Sequence, residues 1–193
     1  MTESKMFLDI SDEALMLRVK DGDHDAFGEL LRRYERQLAA FFYRLLRDEE
    51  GARDLVMDTF LRVYKAAHRY EPRAKFSTYV YQIARNLFIN ESQKRDFRKT
   101  DSLDEINESS SLQLVDQELD PEQELSRREQ SDLVSRALSE LPEDQRTILI
   151  LVEYQELSYE RVAQIMDCSI GTVKSRMHRA RQKVREWMEN HEL

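Results

Sequence analysis

The chain has 193 residues, enough for one ordinary domain or two small ones, and carries Lys+Arg 30 against Asp+Glu 38 for a formal net charge of −8. A balance this acidic argues at first against a polyanion as partner. Hydrophobic residues at 40% and aromatic residues at 9% suffice to bury cores, which excludes wholesale disorder, while Gly 4 and Pro 3 favour helices.

In chain order, residues 1–96 hold 17 basic and 17 acidic side chains and show helical periodicity nearly throughout. Ala52, Leu55, Val56, Thr59, Phe60 and Val63 recur at the spacing of an amphipathic helix. Its outer face carries Asp54, Met57, Asp58 and Leu61. Carboxylates mixed with exposed apolar side chains suggest a protein-binding patch. After Pro72 a basic loop, Arg73-Ala74-Lys75, leads through Phe76 and Ser77 into a helix expected to run to about Lys94. Val80, Ile83, Ala84 and Leu87 should face inward, with Tyr79, Gln82, Asn86, Asn90 and Gln93 opposite. Amides and an aromatic behind a positive loop can hydrogen-bond to unstacked bases and stack on them. A plain solvated face with Tyr79 half buried is the competing reading.

Residues 97–125 change character: two basic side chains against nine acidic, a Ser109-Ser110-Ser111 run and Pro121. That composition reads as a flexible acidic linker. Residues 126–193 carry 11 basic and 12 acidic side chains and return to helical patterning. Leu141-Pro142-Glu143-Asp144-Gln145 looks like a helix start, with Pro first and acids in the opening turn before the apolar run Ile148 to Val152. Ser158 can cap a short helix through Met166, Asp167-Cys168 makes a turn, and Ser169 caps the next helix. Two short helices around so tight a turn, the second densely basic, form the pattern of a helix-turn-helix.

On that second helix Ile170, Val173, Met177, Ala180 and Val184 should pack inward, and Gly171, Lys174, Ser175, His178, Arg179 and Gln182 fall on another side, where DNA would lie. From Ser169 to Arg185 there are six Lys/Arg and no acid. Lys174 and Arg179 can read guanine edges or grip phosphates, while Arg176, Arg181 and Lys183 suit backbone contacts. For a single lysine, a solvated face is the better reading. An acid-free run of this length behind a helix-turn-helix favours DNA.

Taken together, the segments Ala52-Arg53-Asp54-Leu55-Val56-Met57-Asp58-Thr59-Phe60-Leu61-Arg62, Phe76-Ser77-Thr78-Tyr79-Val80-Tyr81-Gln82-Ile83-Ala84-Arg85-Asn86, Leu141-Pro142, Leu157-Ser158-Tyr159-Glu160 and Gly171-Thr172-Val173-Lys174-Ser175-Arg176-Met177-His178-Arg179-Ala180-Arg181 resemble the bacterial extracytoplasmic-function sigma factors of the sigma-70 family, in order and over nearly the whole chain. The resemblance implies an all-α chain of two small helical domains: a region 2-like bundle over 1–96, the flexible acidic linker over 97–125, and a region 4-like helix-turn-helix over 126–193. It further implies a cytoplasmic, dissociable subunit of RNA polymerase that directs promoter-specific initiation. Asp54, Met57, Asp58 and Leu61 would meet the clamp helices of core polymerase, whose flap is a further implied contact. Tyr70, Arg73, Lys75, Phe76, Tyr79, Asn86 and Asn90 would capture the melted −10 element. Gly171, Thr172, Lys174, Ser175, Arg176, His178 and Arg179 would read the −35 duplex. An anti-sigma factor is an implied partner, with the free form a monomer or an anti-sigma heterodimer. Met57 and Tyr79 stand where the family usually has Gln and Trp, and the loop Glu71-Pro72-Arg73-Ala74-Lys75 departs from its usual Arg-Gly-rich form.

Promoter elements ~25 base pairs apart are separated by ~85 Å of B-DNA. A 29-residue linker reaches roughly 95 Å when extended. Inside polymerase an acidic strap could mimic displaced nucleic acid, so neutralising Asp101, Asp104, Glu105, Glu108 and Asp116 is expected to weaken core binding. The rival readings are a helix-turn-helix regulator acting without core polymerase and an adaptor whose helices grip only proteins. An enzyme is least favoured, and no cofactor is expected, because the sequence offers no Gly-rich phosphate loop, metal-ligand cluster or triad. The single Cys168 permits neither an internal disulfide nor a Cys-based zinc cage. No run approaches the ~18 apolar residues of a membrane span, and no secretory leader is evident at the N-terminus, so a soluble, unexported protein is expected. The net acidity, finally, lies almost wholly in residues 97–125, leaving the basic helix free of the objection raised by the average.

Overall fold

The computed structural model describes Phe7, residues 9–101 and residues 133–191. Among them there are helices and turns and no strand. Packing divides the chain into two units: Met1–Phe42 with Ala52–Glu105, and Tyr43–Gly51 with Ile106–Leu193.

The first unit begins with α1 (Asp12–Lys20), whose N-cap Ser11 accepts from the Ala14 amide at 3.2 Å. Gly22, at φ 94, makes the turn that follows, a conformation costly for any residue with a Cβ. Asp23 then caps α2 (His24–Leu46) by accepting from the Ala26 amide at 3.0 Å. Arg47, at φ 56, ends that helix. Asp48 accepts from the Gly51 amide at 3.1 Å and starts α3 (Glu49–Ala66). A 3-10 turn, Ala67–Arg69, and an exposed loop lead to α4 (Phe76–Asp101).

The core forms around α2, which meets α3 through Phe27 against Phe60 (6.0 Å) and α4 through Tyr34 against Phe76 (5.3 Å) and Phe41 against Tyr81 (5.4 Å). Leu15, Met16, Leu30 and Leu38 fill the remainder with no exposed surface. Each such side chain contributes about 1.5–3 kcal/mol of burial, which is what holds helices of modest intrinsic propensity together. Ala52, Leu55, Val56, Thr59, Phe60 and Val63 are all buried, as their spacing predicts. On α4, Val80, Ala84 and Leu87 are buried while Ile83 is only half covered. That helix does not stop near Lys94 but continues to Asp101, so the composition break at residue 97 falls within it. Local acidity and Ser content are weak stop signals when no Pro or Gly interrupts the helix. The rest of the expected linker, including Asp104, Glu105, Glu108 and Asp116, lies outside the described residues.

The second unit's helices are α5 (described over residues 133–139), α6 (Glu143–Leu149), α7 (Tyr159–Met166) and α8 (Ile170–Asn190). Pro142 stands at the N-cap of α6 and its carbonyl accepts from both Gln145 and Arg146 at 2.9 Å. α6 then widens into a π turn, Ile150–Tyr154, in which the Gln155 amide reaches the Ile150 carbonyl at 3.2 Å. Through this stretch Thr147, Ile148, Leu149, Ile150 and Leu151 are all buried, a run that a one-sided helix would not produce. α8 packs across α6 and α7.

Candidate nucleic-acid and polymerase interfaces

In the second unit the geometry starts from two serine caps. Ser158 accepts from the Arg161 amide at 3.4 Å, and Ser169 accepts from the Thr172 amide at 3.0 Å. Between them Asp167 adopts the left-handed conformation (φ 51, ψ 51), and the Cys168 amide returns to the Ala163 carbonyl at 3.0 Å. This closes α7 with only three residues, Asp167 to Ser169, before α8 and fixes the angle of a helix-turn-helix. Val162, Ala163, Ile165 and Met166 from α7 and Val173, Met177 and Ala180 from α8 are buried. Ile170, expected inward, is 39% exposed, because it is the first residue of α8 and its side chain has no preceding turn to lie against.

Lys174, Ser175, His178 and Arg179 are exposed on the outer side of α8, together with Gly171. A Cβ at Gly171 would stand 3.6 Å from Ser169 Oγ, so an alanine fits and this glycine keeps the first turn slim rather than relieving a clash. Two of the expected contact residues are engaged internally instead. The Thr172 hydroxyl lies 2.9 Å from Ser169 Oγ within the cap, and Arg176 pairs with Asp144 of α6 at 3.0 Å. Arg181 likewise pairs with Glu153 at 2.5 Å. Ser175 Oγ donates back to the Thr172 carbonyl at 3.1 Å, so a contact through it in this rotamer uses its lone pairs. Of the six basic residues in this run, Lys174, Arg179, Lys183 and Arg185 have no ion-pair partner among the described residues. Lys174, near Glu160, adds its attraction to the α7 amides and Ser158 that lower the Glu160 pKa.

In the first unit Asp54, Met57, Asp58 and Leu61 line one exposed face of α3, with Met57 63% and Leu61 48% exposed. Beside it a groove between α3 and α4 is lined by Leu55, Asp58, Arg62, Leu87, Asn90 and Phe97. In the loop, Arg73 and Lys75 are exposed, with Arg73 paired to Glu71 at 2.6 Å in solvent. Tyr70 and Phe76, named with them as base contacts, are buried at 4% and 0% exposure, and they bracket the loop as core anchors. Tyr79 is half buried, its ring 5.3 Å from Tyr70 and 6.1 Å from Phe76, while Asn86 and Asn90 are exposed further along the same face. The Tyr70 hydroxyl is buried without a hydrogen-bond partner among the described residues, and burial, with Glu13 and Tyr79 nearby, pushes its pKa up to about 12.

Sequence reasoning missed a polar network that holds this unit. Glu29 is buried and accepts from Arg32 (2.7 and 2.8 Å) and from Arg33 (2.7 Å). The bonds from Arg32 outweigh the cost of desolvation and, with Arg33, bring its pKa down to about 2. Arg33 also reaches Asp12 (2.7 Å) and the carbonyls of Phe7 (2.6 Å) and Ile10 (2.9 Å), and Tyr34 donates to Asp12 at 2.5 Å. The available signal was the spacing of Glu29 to Arg32 and Arg33, three and four residues on, which puts the three charges together on one face of α2.

These features define an all-helical DNA-binding protein with a helix-turn-helix in one unit and an exposed acidic and apolar helix face in the other. Known proteins agree. The family description "Sigma-70 region 2" matches residues 30–98 and "Sigma-70, region 4" matches residues 131–184. The RNA polymerase sigma-H factor of Pseudomonas aeruginosa is 34% identical over 90% of this chain and 91% of its own length. The ECF RNA polymerase sigma-E factor of Haemophilus influenzae is 34% identical over 91% and 94%. Among solved structures, the sigma factor RpoE of Bartonella quintana, crystallised in complex with the anti-sigma factor NepR, is similar at a TM-score of 0.68 and 30% identity over 84% of this chain and 96% of that one. The chain belongs to the sigma-70 family of transcription initiation factors, in its extracytoplasmic-function group. Similarity to sigma factors along almost the whole length sets aside a regulator that works without polymerase.

Proposed function

We propose that this protein joins core RNA polymerase, reads a −35 element as duplex through α8, and captures the opened −10 strand on the loop before α4 and the helix behind it. The observation that carries the reading is α8 itself: a capped helix at the second position of a helix-turn-helix, free of acids through Arg185, with Lys174 and Arg179 exposed and in no salt bridge among the described residues. These two are the base or phosphate contacts, with Ser175, His178 and the Gly171 backbone beside them. Arg176 and Thr172 set the helix in place. On α3, Asp54, Met57, Asp58 and Leu61 meet the polymerase clamp, where two exposed apolar side chains supply buried area and two carboxylates supply register. Arg73, Lys75, Tyr79, Asn86 and Asn90 contact the −10 strand, offsetting the few kcal/mol lost per unstacked base.

The domain limits follow the same reading, with the polymerase and −10 functions up to residue 96 and the −35 function from residue 126. The protein acts in the cytoplasm as an initiation factor and not as an enzyme, and an anti-sigma factor is its resting partner; the Bartonella quintana factor was crystallised in complex with one, NepR. No helix among the described residues is long and apolar enough to cross a membrane. Charge reversal at Asp54 and Asp58 tests the assignment of surfaces: affinity for core polymerase should fall, whereas Arg179→Ala should leave it unchanged. Loss of core binding in Arg179→Ala with full binding in the α3 variant would reverse the two roles.

A further inference from the structure

We propose that α1 is a positioning element for the −10 loop, holding it at both ends so that Arg73 and Lys75 are presented at fixed places; this rests on the reading of that loop as a single-strand contact. α1 precedes the stretch matched by the region 2 description, which begins at residue 30. At one end of the loop, Lys20 Nζ donates to the Tyr70 carbonyl at 3.1 Å. At the other, Glu13 Oε1 accepts from the Phe76 amide at 2.9 Å.

The first amides of a helix have no partner inside it, and Lys75 offers no capping side chain. The Thr78 and Tyr79 amides turn to the Lys75 carbonyl at 3.0 and 3.3 Å. The Phe76 amide is left to a carboxylate 63 positions away, whose negative charge also suits the positive end of α4. Glu13 and Lys20 stand seven residues apart, which is two turns of α1 on one face and ~10 Å along its axis. One rigid surface therefore sets the span between the two ends of the loop.

α1 does not float. Asp12 joins it to Arg33 at 2.7 Å and to Tyr34 at 2.5 Å on α2, and Leu15, Met16 and Val19 are buried beneath it. Between the anchors, the loop's described polar contacts run from Arg73 to Glu71, while residues 71–75 are all exposed. The Tyr70 hydroxyl, buried without a hydrogen-bond partner among the described residues, adds no polar anchor of its own. The buried rings of Tyr70 and Phe76 pin the two ends of the loop in the core, and the two contacts from α1 fix the direction of the backbone there, by residues that need touch no nucleic acid.

The test uses the full chain bound to core polymerase, with a fluorescent single-stranded −10 oligonucleotide and a −35 duplex as separate probes. Glu13→Ala should weaken single-strand binding about tenfold, the worth of one hydrogen bond to a charged group, and Lys20→Met should do so by a similar factor. Glu13→Gln and Lys20→Arg keep the acceptor and the donor and should stay within about twofold of the parent. Binding to core polymerase and to the −35 duplex should not change. A loosened loop should also flatten the preference among oligonucleotides altered at single −10 positions, which a uniform loss of folded protein would not do. If Glu13→Ala fails to fold, Lys20→Met, at an exposed lysine, supplies the same comparison. Arg73→Ala with Lys75→Ala separates the role of the loop from that of α1. If that pair leaves single-strand binding intact, the reading of the loop fails and this proposal with it. If the pair weakens binding while Glu13→Ala and Lys20→Met keep full affinity and selectivity, or lose core binding in proportion, the role given to α1 alone is overturned.

Discussion

Arg176 and Arg179 are three residues apart on α8, both basic and both in the stretch that resembles a −35 reader, yet they stand in different surroundings. Arg176 Nη1 lies 3.0 Å from Asp144 Oδ2, with side chains 31% and 46% exposed. At that exposure the pair is worth about 0.2–1 kcal/mol, so Arg176→Ala should lower the melting temperature by a few degrees and no more. Arg179 has no such partner among the described residues, so Arg179→Ala should leave the melting temperature unchanged. It should cost about 1–3 kcal/mol at a −35 duplex, a factor of about 5–150 in affinity. A base contact would lose discrimination at one position, and a phosphate contact would lower the salt slope by about 1. Thermal melting of the free protein and fluorescence anisotropy of the polymerase-bound protein on labelled −35 duplex give both numbers. An Asp144→Ala variant should match Arg176→Ala in stability and add little to it in the double variant. Equal losses of −35 affinity from Arg176→Ala and Arg179→Ala, with no change in stability from either, would refute the division of roles.

Other consequences follow from single residues. Because the Glu29 pKa is about 2 when folded against 4.5 for the free group, its contribution is present above pH 4.5 and is lost as pH falls toward 2. Glu29→Gln should therefore flatten the acid side of a stability profile followed by circular dichroism, and should lower stability at pH 7 by about 2 kcal/mol. A parent protein with no acid-side decline that Glu29→Gln removes would contradict the network. Asp167→Gly should raise the melting temperature slightly, since glycine takes the left-handed conformation at little cost, whereas Asp167→Val should lower it by the equivalent of about 1–2 kcal/mol. Similar melting temperatures for the two would mean that the turn does not need that conformation.

The helices and their buried faces were legible because each signal was local. Ala52 to Val63 repeat at helical spacing, and Ser158, Asp167 and Ser169 mark the helix-turn-helix within a dozen residues. Much of what escaped was set by partners far away in sequence. Nothing near Arg176 indicates that Asp144 will meet it, and nothing near Phe76 indicates that its amide is capped by Glu13. Tyr70 and Phe76 show the same limit from the other side: an aromatic beside a basic loop can stack on a base or plug a core, and only the presence of Tyr34, 5.3 Å from Phe76, decides for the core. The net charge of −8, taken alone, argued against nucleic acid, while its distribution left α8 without an acid through Arg185.

The central claim is that this chain gives core RNA polymerase its choice of promoter. Reconstituted transcription with core polymerase, promoter DNA and the protein tests it most directly: transcripts should start at discrete promoters only when both proteins are present, and charge reversal at Asp54 and Asp58 should abolish them. Sequence-specific duplex binding without polymerase, together with no promoter-specific transcript in its presence, would contradict the account.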